Sequence, residues 1–338
     1  MKKYTVYAIT TIGLAILAVS LFTSGSIVAA QSASTPGTGS ALEIAPPVLI
    51  LKANPGQTVT AQINLRDISK VQQVVTSQVD DFGASGEEGL PQIDVNNSTP
   101  GPYSIINWVS PPAELTLNSK QIKSLPLTIN VPANASPGGY YGVIRFTATA
   151  PELSGTGVAL TPSLGALVFI RVNGNAKESL SVASFTAINP DDTKSGWLFE
   201  KTPIQFDVRI QNTGNVFEQP AGVISITDMF GKKIADVNVN QPPGYVLPHS
   251  IRKYSQVLNG GQLGNKWLFG KYTAKLELTY GAKNQTLTQT MTFWVIPWRL
   301  ILVVVVVLIG VIIALYYGIK RYNQFVVKRA QGHRTKRK

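Results

Sequence analysis

The chain has 338 residues, no cysteine, and a formal net charge of +12 from 30 Lys and Arg against 18 Asp and Glu. Without cysteine there is no disulfide scaffold and no thiolate metal site, so an exported chain of this size must rely on its own core. Nor is the charge a nucleic-acid footprint: residues 1–30 and 299–338 hold eleven of the basic residues and no acid, leaving 19 bases against 18 acids between them, and basic ends beside apolar runs report membrane topology.

The chain opens on Lys2 and Lys3, followed by an uncharged apolar stretch from Ile9 to Leu21 and the small residues of Ser26 to Ala30. This order reads as a secretory signal peptide over residues 1–30, cut after Ala30; the alternative is an uncleaved N-terminal anchor. Residues 31–40, rich in Ser, Thr and Gly, read as a flexible mature N-terminus.

Between Ala41 and Trp294 short alternating or β-branched runs recur, separated by Pro, Gly, Asn and Asp. The spacing predicts strands over 48–51, 59–65, 71–79, 103–109, 125–131, 140–149 and 164–172. In 59–65 the residues Val59, Ala61, Ile63 and Leu65 fall on one face. A second series follows Asn173-Gly174-Asn175, with strands over 180–187, 204–211, 222–227, 233–239, 272–280 and 286–295. Asn212-Thr213-Gly214-Asn215 and Met229-Phe230-Gly231 read as turns. The expected fold is all-β: two tandem immunoglobulin-like β-sandwiches, residues 41–174 and 175–296, the second seven-stranded, followed by one transmembrane helix.

That helix is expected over 297–319. Leu300 to Ile319 carries no charge, and about twenty helical residues span a hydrocarbon layer of about 30 Å. Trp294 and Trp298 before the run, and Tyr316 and Tyr317 at its end, read as interfacial belts. Lys320 and Arg321 open a basic tail, residues 320–338, that the positive-inside rule keeps in the cytoplasm. The expected topology is a single-pass type I membrane protein with the β-rich part outside and only Ile296 to Arg299 joining it to the helix.

This order of parts resembles the WxL-interacting surface proteins of Gram-positive bacteria. The matching stretches are Ala53-Asn54-Pro55-Gly56-Gln57-Thr58, Trp108-Val109-Ser110-Pro111-Pro112, Leu115 to Gln121, Val131-Pro132 and Gly138-Gly139-Tyr140-Tyr141-Gly142. Asn212 to Asn215 and Trp294-Val295-Ile296-Pro297-Trp298 match in the second half. The resemblance implies a peptidoglycan-binding β-domain, then a β-domain implicated in host binding, on a membrane anchor.

Candidate chemistry is sparse. The two histidines are His249, in Leu247-Pro248-His249-Ser250, and His333 in the tail; no catalytic group, metal site or cofactor is expected from them. The acids Asp80, Asp81, Glu87 and Glu88, and the pair Asp191 and Asp192, match no calcium-loop or paired-carboxylate spacing and read as solvated turn acids. Aromatic residues are the better binding candidates: Tyr103, Trp108, Tyr140 and Tyr141 in the first half, Trp197 and Trp267 in the second. An exposed ring suits sugar stacking or a protein anchor, whereas a buried one is core. The expected function is non-enzymatic binding of peptidoglycan or of a wall-associated surface protein, with no nucleic acid. The alternative is an accessory subunit of an envelope complex that captures a partner's strand along a sheet edge.

Overall fold

In the computed structural model the described residues are 41–95, 99–149, 163–191, 194–263 and 268–334, with side chains described as far as Gln324. The signal peptide and flexible segment expected over residues 1–40, together with Asp192 and Trp267, lie outside them. The chain is mostly β-sheet, with one C-terminal apolar helix.

The first strands are β1 (Leu42–Ala45), β2 (Val48–Ala53), β3 (Thr58–Asp67), β4 (Gln73–Ser85) and β5 (Leu90–Asp94). They are followed by β6 (Val109–Ser110), β7 (Glu114–Leu117), β8 (Ile122–Asn130), β9 (Gly138–Ala148) and β10 (Ser163–Val172). One sheet runs β1-β3-β8-β6, and the facing sheet runs β2-β10-β9-β4-β5 with β7 on β4. Period-two alternation decides which face is core. Ile63 and Leu65 of β3 and Leu125, Leu127 and Ile129 of β8 point inward, against Ile144, Phe146, Val168 and Ile170 of the other sheet. The chain passes from one sheet to the other at Pro46-Pro47, between β1 and β2.

Pro126 sits inside β8, where a proline normally breaks the ladder. The register explains its tolerance. Val131 donates its amide to the Gln57 carbonyl on the β3 side, whereas Asn130 donates to the Trp108 carbonyl on the β6 side. Even-numbered amides of β8 therefore face the outer edge. Pro126 falls past the end of two-residue β6, so no bond is lost and the edge is closed to further strands.

The second set comprises β11 (Leu180–Ile188), β12 (Leu198–Phe199), β13 (Ile204–Asn212), β14 (Ala221–Asp228), β15 (Lys233–Val239), β16 (Ile251–Leu258), β17 (Gly270–Tyr280) and β18 (Gln285–Val295). They form a three-stranded sheet, β11-β13-β16, and a five-stranded one, β12-β18-β17-β14-β15. Strand β17 alternates strictly: Tyr272, Ala274, Leu276, Leu278 and Tyr280 are buried while Lys271, Lys275, Glu277 and Thr279 are exposed. The inward set packs with Phe206, Val208, Ile210, Ile224, Ile226 and Phe293 into a second core. The turn expected at Met229-Phe230-Gly231 forms, with Gly231 at φ 79° and the Asp228 carboxylate accepting the Phe230 and Lys232 amides.

Three expectations need correction. Residues 103–109 are turns rather than a strand, apart from the start of β6 at Val109. The Ser104 hydroxyl accepts the Ile106 amide at 3.2 Å, and Trp108 donates to the Ile105 carbonyl at 2.9 Å. This turn brings Ile105 and Trp108, three apart, into the core together. Second, only Ile296 and Pro297 join β18 to the helix α1 (Trp298–Arg334), whose first bond runs from the Ile301 amide to the Pro297 carbonyl. Third, α1 continues past Ile319 into the expected tail, because Lys, Arg, Gln and Ala are good helix formers and no proline stops them. Its segment Trp298–Gln324 is long and apolar enough to cross a membrane, and none of it is buried inside the protein.

Candidate partner-binding face

The two pairs of sheets meet on the outer face of the β2-β10-β9-β4-β5 sheet. Phe82, Val143 and Phe169 from that face close on Phe217 and Leu247 from the other pair, with Tyr141, Leu167 and Tyr245 around them. Ring centroids of Phe169 lie 4.9 Å from both Phe217 and Tyr245, and Phe82 lies 5.0 Å from Tyr141, distances that suit aromatic packing. Gly139 makes the approach feasible: a Cβ there would lie 2.7 Å from the Phe217 ring and 2.9 Å from its amide nitrogen. Beside it, the Asn215 carbonyl accepts the Gly139 amide at 2.8 Å, and the Asn215 side chain donates to the Pro137 carbonyl at 2.9 Å. The Gly138-Gly139 and Asn212 to Asn215 motifs, remote in sequence, are thus two halves of one joint.

The β4–β5 hairpin reaches across this joint. At its tip Glu87 receives two hydrogen bonds from the Arg209 guanidinium, one of 2.6 Å, and its carbonyl accepts the Lys253 amide at 2.7 Å. Glu88 pairs with the Lys253 ammonium at 2.7 Å. Hydrogen bonding by Arg209, opposed by burial and aided by its charge, holds the Glu87 carboxyl below its ordinary range. These two residues are latch groups, not the free turn acids expected, because cations on β13 and β16 meet them. Asp80 is likewise buried and paired with Arg145 at 2.8 Å.

Next to the joint, β2 presents a free edge. Its parallel partner β10 takes the carbonyls of Pro47 and Ala53, through the amides of Leu167 and Asn173, both at 2.9 Å. Odd-numbered peptide groups of β2 therefore face β10, and those of Val48, Ile50 and Lys52 face outward with no strand beside them among the described residues. Ile50 is 53% exposed and Val48 is also exposed. By register they share the face of Leu167 and Phe169.

Val48 also lines a cavity of about 210 Å³. Its walls are mostly apolar, with Phe82, Leu167, Phe169, Tyr245 and Leu247 prominent, and Arg252 at one side. The Arg252 guanidinium donates to the Tyr245 carbonyl at 2.8 Å and lies 5.5 Å from the Tyr254 ring centroid, while its Nε is buried without an acceptor. No carboxylate pairs with it among the described residues, whereas Arg66, Arg145, Arg171, Arg209 and Arg299 all have one. An apolar group carrying a carboxylate matches such a lining.

The aromatic candidates divide. Trp108 is 8% exposed and packs against Tyr140 with centroids 4.4 Å apart; its indole is core and offers no face to a sugar. Tyr140 spends its ring on that contact, and its hydroxyl donates to the Ser136 carbonyl at 3.1 Å. Tyr103 and Tyr141 stack at 6.0 Å, with planes 17° apart, and line a second cleft of about 230 Å³ with Asp81, Asp94 and Ser104. Burial first, then Tyr103 and the Asp81 charge, push the Tyr141 hydroxyl up to about 12, so it stays protonated. Trp197 is 66% exposed and far from these residues in the fold, its carbonyl accepting the Trp294 amide at 2.6 Å. Trp294 is exposed near the end of β18, and Trp298, Tyr316, Tyr317, Lys320 and Arg321 are exposed along α1. His249 is exposed at φ 57°, with its ring 6.2 Å from Tyr103. No cluster of three or more potential metal ligands occurs among the described residues.

Sequence reasoning read Glu87 as a solvated turn acid, missed Arg209 and Arg252, and named strand-edge capture without locating the edge on β2. The apolar run Val48 to Leu51 marks a strand but not whether its neighbour is present. No family model and no curated protein matches the chain. Among solved structures the chain is similar to the YadV chaperone, with 11% identity and a TM-score of 0.37 over 75% of this chain and 99% of that one. It is also similar to the E. coli chaperone DraB, with 15% identity and a TM-score of 0.33 over 75% and 97%. A chain of the Salmonella enterica SafA pilin–SafB chaperone complex gives 13% identity and a TM-score of 0.35 over 74% and 96%. Superpositions this loose leave function to be argued from the residues themselves.

Proposed function

We propose that the chain is a single-pass envelope protein whose two β-sandwiches stand outside the membrane and capture an extended segment of a partner protein along β2. One observation carries the reading: among the described residues the outward peptide groups of Val48, Ile50 and Lys52 have no strand beside them, and the side chains of Val48 and Ile50 are apolar and exposed. Such an edge is the template that strand addition uses, and most proteins blunt it. The edge of β8 is blunted by Pro126; β2 has no proline within it, and its one charged residue, Lys52, stands near its end. Main-chain bonds would supply affinity, and the cavity beside Val48 would select the partner's side chains.

Anchoring by α1 is supported by its length, its apolar run, its tryptophans and tyrosines, and the basic residues that follow. The layout shared with WxL-interacting surface proteins points to a partner in the cell wall.

The test uses the full chain in intact cells, with a photo-crosslinker at Lys52. One dominant protein adduct is expected, and Ile50→Pro should abolish it. That substitution removes an outward amide and leaves the β2–β10 ladder intact. Unchanged adducts in Ile50→Pro would overturn the reading, as would adducts to wall glycan alone.

A second reading, direct binding of wall glycan, is favoured by the cleft between Tyr103 and Tyr141, where rings and carboxylates converge as in sugar sites. Retention of the chain on purified sacculi should then fall in Tyr103→Ala; equal retention of both forms would count decisively against it.

A further inference from the structure

One end of the C-terminal pair of sheets is ringed by apolar side chains that no other described part of the chain covers. The register identifies the end. Strand β14 finishes with Asp228 opposite Tyr272, β17 begins with Gly270 opposite Val295, and β12 sets Leu198 beside Trp294. Three loop tips therefore gather where β18 hands the chain to α1: Trp197-Leu198, Met229-Phe230 and Phe269. Phe230 is 87% exposed and Phe269 63%, and Leu198, Met229, Trp294 and Trp298 are exposed as well.

Single exposed apolar residues need no explanation, but a concentrated patch does. The opposite end of the same sheets supplies the contrast. There β17 turns into β18 through Gly281-Ala282-Lys283-Asn284, a turn without a large apolar residue. Phe230 also sits at a tight turn held by the Asp228 carboxylate, a position where polar residues are usual. Lys201, Lys232 and Lys271 are exposed around the patch, and Arg299 lies over the Trp298 ring at 5.4 Å. Aromatic rings with long basic side chains about them suit the layer between lipid head groups and hydrocarbon.

We infer that this collar rests in the interfacial layer of the bilayer that α1 enters, with Trp197, Met229, Phe230 and Phe269 dipping into it beside Trp294 and Trp298. The occupant is a lipid surface because the patch is continuous with the first turn of α1. The two-residue join, Ile296-Pro297, reaches at most about 7 Å, so this end cannot stand clear of the helix's entry point. The inference rests on the reading of α1 as a membrane span and adds a second, peripheral contact to it.

The cysteine-free sequence permits a direct test on the full chain in proteoliposomes, with an environment-sensitive fluorophore on single cysteines. Val306→Cys reports the helix, Phe230→Cys and Trp197→Cys the collar, and Lys283→Cys the far end. Lipids carrying a quencher at a shallow or a deep position then give depth. The expected result is deep quenching at 306, and shallow quenching at 230 and 197 several-fold above the background level at 283. Quenching at 230 and 197 no greater than at 283, with 306 still quenched, would overturn the collar and leave the span standing. An unquenched 306 would overturn the span and the collar together. Blue-shifted but unquenched labels at 230 and 197 would mean that a second copy covers the patch, and would also overturn the inference.

Discussion

Arg209 on β13 binds the carboxylate of Glu87, 122 residues earlier in the chain, and so ties the tip of the β4–β5 hairpin to the other pair of sheets. Both side chains are more than or about a third exposed, so solvent and salt screen the pair and Arg209→Ala should leave global stability almost unchanged. The sharper readout is local. Hydrogen exchange at the Lys253 amide, which donates to the Glu87 carbonyl, should quicken while the cores stay protected. Because the Glu87 carboxyl is depressed in the folded state, its contribution is present above the ordinary carboxylate range and is lost as pH falls through the folded value.

Gly139→Ala should destabilise the joint by about 1–3 kcal/mol, the usual cost of forcing a methyl into a packed contact. Its Cβ would meet the Phe217 ring and backbone, and backbone gives way poorly. Urea unfolding measures the loss. An unchanged midpoint would mean that the joint is looser than its contacts imply.

Glu218, 4% exposed, has a buried Oε1 with no partner. Burial, then the Glu178 charge, raise its carboxyl to about 7, against the opposing Arg171 charge and a backbone hydrogen bond from Gly281. A raised folded value gives stability that is complete below the ordinary 4.5 and is lost as pH climbs to about 7. The wild type should therefore weaken over that window by up to about 3 kcal/mol, whereas Glu218→Gln should not. Thermal melts at both ends of the window check this.

Trp108→Ala should cost about 3–5 kcal/mol, because it empties a core site against Tyr140. Tyr103→Ala, at the rim of its cleft, should cost far less. Similar losses for the two would contradict the division between core and cleft.

Pro126→Thr should leave the melting temperature nearly unchanged, since the amide it restores faces outward. It should raise concentration-dependent association by opening the β8 edge, which light scattering would detect.

The sequence made legible what depends on near neighbours. Alternation in 59–65, 272–280 and 286–295 announced β3, β17 and β18, and the uncharged run after Arg299 announced α1. Residues 103–109 misled because Ile105 and Trp108 reach the core through a turn, while their composition reads as β. The roles of Glu87 and Arg209 were illegible because nothing within either segment encodes a partner 122 residues away. Tyr103 and Tyr141 were named as separate candidates; their stacking follows from the Tyr103 carbonyl accepting the Tyr141 amide at 2.8 Å, a bond between a turn and β9 that no spacing reveals.

The two-residue join between β18 and α1 has a mechanical consequence. Strand β18 is held by eleven residue pairs to β17 along its whole length, and by β12 at the end nearest the helix. Tension drawn through α1 along the strand axis would meet those bonds in shear, many at once, instead of peeling them singly. A chain fastened in this way is suited to withstand pulling between whatever holds its helix and whatever its sheets grip.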